Sequence, residues 1–169
     1  MSVAQVVARD NEESGDILAG VEALFTGLIT ASLVRAERAL DAFAFHADYL
    51  DVTNPFRPHP RIRPALACLT GRRLIGVYAA KGGLSVVPSA AWVLRHAADM
   101  ELHTVALADV ESVCTRRTVR QLGIAHDVVL TLRSGEQYRV GPHSGAPRAE
   151  VIADRIRLRT RPAGPPGQS

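Results

Sequence analysis

A chain of 169 residues, 47% apolar and 22% charged, is long enough to bury a core and too mixed in composition to be a disordered segment. Its formal charge of +3 is too small to argue nucleic-acid binding unaided. Of 20 basic residues only Lys81 is a lysine, which with the abundant Ala, Val, Gly and Pro reads first as the spelling of a GC-rich genome; functional meaning is left to local arginine clusters.

Residues 1–15 are polar and short, and are expected to be disordered. Asp10, Glu12, Glu13 and Asp16 break any apolar leader core, so the expected location is cytoplasmic, with peripheral membrane contact as a further option. From 16 to 39 the chain predicts an apolar helix. Ile17, Val21, Leu24 and Leu28, with the second row Leu18, Phe25, Ile29 and Leu33, recur at steps of three and four. Between Ile17 and Val34 the only charge is Glu22, yet eighteen residues is the bottom of the spanning range, and Thr26, Thr30 and Ser32 dilute the stretch. The expected interaction face is Ile17, Val21, Leu24, Phe25, Leu28 and Ile29, packed on its own domain, on a partner chain or on a membrane surface.

From Ala42 the period changes to two. Phe43, Phe45, Ala47 and Tyr49 share one face and Ala44, His46 and Asp48 the other, which predicts a half-buried strand. Pro55, Pro58, Pro60 and Pro64 then predict an irregular loop from Asp51 to Pro64. Ala65–Thr70 and Arg73–Ala80 read as strands joined at Gly71, and Gly82-Gly83 breaks the chain before Leu84–Pro88. Residues 90–98 suit a strand or a short helix.

Thr104–Leu107 alternates, slips in phase at Ala108-Asp109 and resumes from Val110 to Cys114, as a bulge or tight bend would. Val128, Leu130 and Leu132 oppose Val129, Thr131 and Arg133, and Ser134-Gly135 turns the chain into Tyr138 and Val140. A last helix opens near Pro147, with Ala149, Ile152, Ala153 and Ile156 as its buried face and Arg155, Arg157 and Arg159 trailing. Residues 161–169 are expected to be a disordered tail. Cys68 and Cys114 each lie in an apolar run without a CxxC or a neighbouring His, so buried, inert thiols are expected rather than a disulfide.

The run Leu69-Thr-Gly-Arg-Arg-Leu-Ile-Gly-Val-Tyr78, the bend Val105–Val113, the hairpin Val128–Val140 and the closing helix resemble bacterial pleckstrin-homology-like domains, close to the GRAM group. The resemblance covers about Leu40 to Arg159. It implies a mainly β fold over 40–160: two bent antiparallel sheets forming a partly open barrel capped by the C-terminal helix, here with an added N-terminal helix. It also implies a binding module for headgroups, peptides or protein surfaces rather than an enzyme.

In that family the first-to-second strand loop is the usual headgroup site, and here it holds Arg57, His59, Arg61 and Arg63 without an acid. Guanidinium forks suit phosphate oxygens, so these four are candidate anion ligands. Arg116, Arg117 and Arg120, expected in a turn after Cys114, form a second basic group. Neither group has the aromatic interleaving of single-strand nucleic-acid platforms, so nucleic acid is not an expected partner. The six histidines show no metal-ligand spacing, no serine sits in a GxSxG setting, and the Asp109/Glu111 pair is a weak acid motif; no catalytic residue, metal or cofactor is expected. The leading expectation is a non-catalytic module for protein–protein interaction or oligomerisation through the barrel and apolar helix. The alternative is peripheral binding to anionic lipid through the Arg57/Arg61/Arg63 loop.

Overall fold

The computed structural model describes residues 1–14, 22–51, 59–79, 100–120, 123–143 and 145–160. The chain divides into two compact units, Met1–Thr104 and Val105–Ser169, where the sequence predicts one domain over 40–160. The described strands are antiparallel and form a four-stranded sheet in the order β1-β2-β3-β4 and a three-stranded sheet in the order β5-β6-β7, with no closed barrel among them.

The first unit begins with a helix where the sequence predicts disorder. Helix α1 spans Val3–Ser14. Ser2 and Gln5 cap it reciprocally: the Ser2 backbone N–H donates to Gln5 Oε1 (2.8 Å) and the Gln5 N–H to Ser2 Oγ (3.3 Å). Val3, Val6 and Val7 are buried on one face, and the next position of that face is the buried Asp10. A carboxylate where an apolar residue is expected hides the helical period from sequence reading. Its reason is tertiary: Asp10 Oδ2 accepts the Ala44 N–H at 2.8 Å. Beside it Arg9 donates to Asp41 Oδ1 (2.8 Å) and to the Leu40 carbonyl (3.1 Å). Together these contacts fasten α1 to β1 (Ala39–Asp51), the edge strand of the sheet, and occupy a backbone donor that would otherwise invite a foreign strand.

Helix α2 is Glu22–Ser32, shorter than the predicted 16–39 span. It ends in a turn in which Ala36 takes φ 68° and the Glu37 N–H bonds the Val34 carbonyl at 2.9 Å. Phe25 and Ile29 are fully buried in one cluster with Val3, Val6 and Val7 of α1, Ala42 and Ala44 of β1, and Leu66, Cys68, Ile75 and Val77. Both helices therefore use one face of the sheet. The small side chains of Ala42 and Ala44 admit α1 at close range.

Strands β2 (His59–Thr70), β3 (Arg73–Ala79) and β4 (Met100–Ala106) complete this sheet. On its opposite face Phe43, Phe45, Leu69, Leu74 and Tyr78 are also buried, so β1 is covered on both sides through Phe45 rather than half-buried. Ala65 sits in register between Phe45 and Tyr78, whose rings meet edge to face at 5.8 Å across the small residue. Burial on both faces explains why Ala65–Leu69 and Leu74–Tyr78 read as continuous apolar runs.

A clasp joins the end of α2 to the β2–β3 bend. Arg73 Nη2 donates to Glu37 Oε2 (2.7 Å) and to the Ser32 carbonyl (2.7 Å), and Arg73 Nε to Glu37 Oε1 (3.0 Å). The Thr70 hydroxyl adds a bond to Glu37 Oε1 at 2.7 Å. The hydrogen bond from Arg73 is the main reason the Glu37 carboxyl falls from 4.5 to about 2; burial works against it.

In the second unit the predicted phase slip is a 3-10 turn, Leu107–Asp109, that separates β4 from β5 (Val110–Arg120) instead of bending one strand. β6 (Gly123–Leu132) and β7 (Gln137–His143) form the predicted hairpin, with Gly135 at φ 87° and its N–H on the Leu132 carbonyl at 2.8 Å. Helix α3 (Ala146–Thr160) buries Ala149, Ile152, Ala153 and Ile156, the predicted face, and packs across β5, β6 and β7. Glu150 bonds the Thr115 hydroxyl, and Arg157 Nε donates to the Val113 carbonyl at 3.0 Å.

Candidate functional site

The predicted anion loop takes a different form. Arg57 lies outside the described residues, and His59, Arg61 and Arg63 belong to β2, where they pair with Asp51, Tyr49 and Ala47 of β1. The prolines predict an irregular loop, yet Pro60 and Pro64 pair with Leu50 and His46 within the ladder. Four residues apart, they turn their missing donors to the same side of the strand. Described pairing with β3 begins only at Ala65, so no described strand calls for a hydrogen bond from their nitrogens.

The second basic group is also strand rather than turn. Arg116 and Arg117 are exposed on β5, and Arg120 closes that strand opposite Gly123. β5 stands at the end of its sheet. Successive residues point to opposite faces, so Arg116 and Arg117 flank the β5–β6 ribbon on its two sides. Near its end Val119 pairs with Ile124, and these two side chains are 81% and 51% exposed. The contact of Thr115 with Glu150 puts α3 on the face that continues as Arg117 and Val119. From Arg116 to His126 the sequence contains no acid. The next residue, Asp127, is fully buried and accepts the Thr118 hydroxyl at 3.1 Å. The exposed Val119–Ile124 rung is therefore flanked along β5 by Arg116 and Arg117, with the exposed Glu150 of α3 on Thr115, two residues before Arg117.

The buried polar cluster of this unit is structural. Gly141 and Pro142 together oppose Asp127 in a bulge, because the register shifts between His126 and Val128. Gly141 takes φ 143°, and a Cβ there would stand 3.0 Å from Asp127 Oδ1. His143 is buried beside them. Burial, and then the charge of Arg148, bring its imidazole down to about 4, against a smaller opposing pull from a hydrogen bond to Val140 and from Asp127. An aspartate and a neutral histidine, both closed off from solvent, hold this bulge.

Ile17 and Val21 of the interaction face lie outside the described residues. Phe25 and Ile29 are fully buried, and Leu24 and Leu28 pack against the same cluster, so this part of α2 is used within its own unit and is not an open interaction face. Cys68 is buried, and desolvation followed by the charges of Glu37 and Asp41 pushes its thiol up to about 12. Cys114 corrects the expectation of a second buried thiol: it is exposed on β5, and both cysteines are free. Among the described residues no group of His, Cys, Asp and Glu could hold a metal ion, and no helix is long and apolar enough to cross a membrane.

Sequence reading named Arg116, Arg117 and Arg120 but missed Val119 and Ile124. The signal was present in the ladder arithmetic. Once Thr115 and Val128 are paired, Val119 and Ile124 fall opposite each other beyond the reach of the helix. Comparison with known proteins finds no family model, no curated protein and no solved structure that matches the chain.

Proposed function

We propose that this protein is a non-catalytic binding module of pleckstrin-homology-like architecture, and that it engages an anionic partner through the free end of its β5–β6 hairpin. The architecture is supported by the order of elements: a four-stranded antiparallel meander, a three-stranded one, and a closing helix. The binding surface rests on one observation, an exposed Val119–Ile124 rung backed by Arg116 and Arg117 in a stretch, 116–126, whose sequence contains no acid. An anion attracted there is held by guanidinium hydrogen bonds, and the flanking charge is screened over about 8 Å at physiological ionic strength.

Interaction with a protein stays within this reading when the partner surface is acidic. Docking of two hairpin ends from two copies is opposed by four like charges, so self-association through this surface is not expected at low salt. The Arg57, Arg61 and Arg63 segment is the competing anion site that the family resemblance implies.

The test is retention of the full chain on immobilised polyglutamate, eluted with salt. Arg116→Glu/Arg117→Glu is expected to elute well before the parent, and Arg61→Glu/Arg63→Glu close to it. The reverse order would move the anion site to β2, and equal retention of all three would sink both assignments.

A further inference from the structure

We infer that two copies of this chain pair along the outer edge of β5, antiparallel and centred on Cys114, so that their three-stranded sheets become one continuous sheet. The surface is the long edge of the strand rather than the end of the hairpin, and its occupant is a second copy.

The ladder shows which backbone groups face outward. On β6 the Leu132 N–H bonds the Glu136 carbonyl toward β7, and the Arg133 N–H bonds the Asp109 carbonyl on the other side. Alternation along the strand then turns the backbone groups of Thr131, Val129 and Asp127 to β5, where they meet Ser112, Cys114 and Arg116. The N–H and C=O groups of Val113, Thr115 and Arg117 point the opposite way. Because β5 ends its sheet, no described strand pairs with them. Arg157 reaches the Val113 carbonyl from that side at 3.0 Å, and the carbonyl keeps a second lone pair. An edge of this kind, exposed at Glu111, Ser112, Cys114, Arg116 and Arg117, is a template for another strand.

Charge chooses the strand and its register. Asp109 and Glu111 stand at the start of β5, and Arg116 and Arg117 toward its end. Antiparallel pairing of two copies therefore lays each acidic end on a basic end. Only registers that match outward groups with outward groups are open. The one centred on Cys114 sets Arg116 opposite Ser112 and Arg117 opposite Glu111 of the second copy, whereas one centred on Arg116 would oppose like charges. The two copies of Arg116 are then four strand positions apart, about 13 Å, which exceeds the screening length of about 8 Å.

The same register fits α3. Glu150 bonds the Thr115 hydroxyl, and Arg157 bonds the Val113 carbonyl. Thr115 lies opposite Val113 of the second copy, so Glu150 of each copy comes beside Arg157 of the other. Within one copy Arg157 already stands 3.6 Å from Glu150 and 2.7 Å from Asp154, and pairing extends that alternation of charge across the dyad. Strand and helix thus agree on one axis.

The experiment is sedimentation equilibrium of the full chain at low and high salt, where a dimer weakened by salt is expected. Thr115→Pro removes an N–H that points away from β6, so it should leave circular dichroism unchanged and abolish the dimer. Glu111→Arg alone and Arg116→Glu/Arg117→Glu alone should each weaken association about tenfold, and the variant carrying all three changes should restore it. Cys114 reports the axis. Directly opposed residues without mutual backbone bonds have Cα atoms about 4.5 Å apart, within disulfide range. One dithiodipyridine per two chains should therefore link parent dimers: one Cys114 thiol displaces a pyridinethione, and the second Cys114 displaces the other as the disulfide closes. The buried Cys68 does not compete, and Thr115→Pro should not be linked. A chain that stays monomeric up to about 1 mM, or a dimer indifferent to Thr115→Pro and to the charge exchange, overturns the inference.

Discussion

Replacing Glu37 by Gln tests the clasp that ties α2 to the β2–β3 bend. The Glu37 side chain is only 4% exposed, and it takes hydrogen bonds from Arg73 and Thr70. Its carboxyl lies near 2 when folded and 4.5 ordinarily, a difference that corresponds to about 3 kcal/mol of folded-state preference for the ionised form. Glutamine keeps one carbonyl acceptor for Arg73, so the expected loss at neutral pH is about 2 kcal/mol. Because the folded value lies below the unfolded one, the ionised form's contribution is complete above pH 4.5 and is lost as pH falls toward 2. The buried Cys68 thiol gives a readout specific to this unit, since it reacts only when the unit opens. In a Cys114→Ser background, labelling by dithiodipyridine should be roughly 30-fold faster in Glu37→Gln at pH 7. The advantage of the parent should shrink about tenfold by pH 3.5. A ratio that stays constant between pH 7 and 3.5 would refute the argument, because it would mean that the ionised carboxylate contributes nothing beyond packing.

His143 makes the corresponding prediction for the second unit. Its folded value of about 4 lies below the ordinary 6.5, so the unfolded state takes up the proton first and the unit loses about 3 kcal/mol as pH falls from 6.5 to 4. Protection factors of the amides at Val128–Leu130, corrected for the intrinsic rate at each pH, should fall over that window, and an imidazole that titrates near 6.5 by NMR would contradict it. Gly141→Ala should destabilise the second unit by about 2–3 kcal/mol, since its φ of 143° and the contact with Asp127 both oppose a Cβ; a melt indistinguishable from the parent would refute the bulge geometry. Asp10→Ala removes the acceptor of the Ala44 N–H and should cost about 1–3 kcal/mol, with faster exchange at that amide. Unchanged exchange there would mean that α1 does not secure the edge of β1.

What the sequence determined by itself was local and one-sided. The buried face of α3 was legible because Ala149, Ile152, Ala153 and Ile156 repeat at helical spacing against a single covering sheet. The β6–β7 turn was legible because Ser134-Gly135 carries its own backbone chemistry. Tertiary structure decided everything that depends on partners far along the chain. Asp10 looks like a polar residue in a polar segment until Ala44, 34 residues on, gives its carboxylate a donor. Glu37 and Arg73, 36 residues apart, are ordinary charges until the β2–β3 bend brings them together. The candidate surface was half legible for the same reason. Arginines at 116 and 117 are visible in any reading, but whether Val119 and Ile124 are core or surface depends on where α3 stops covering the ladder. Periodicity reports which residues share a face; only packing decides whether that face is covered.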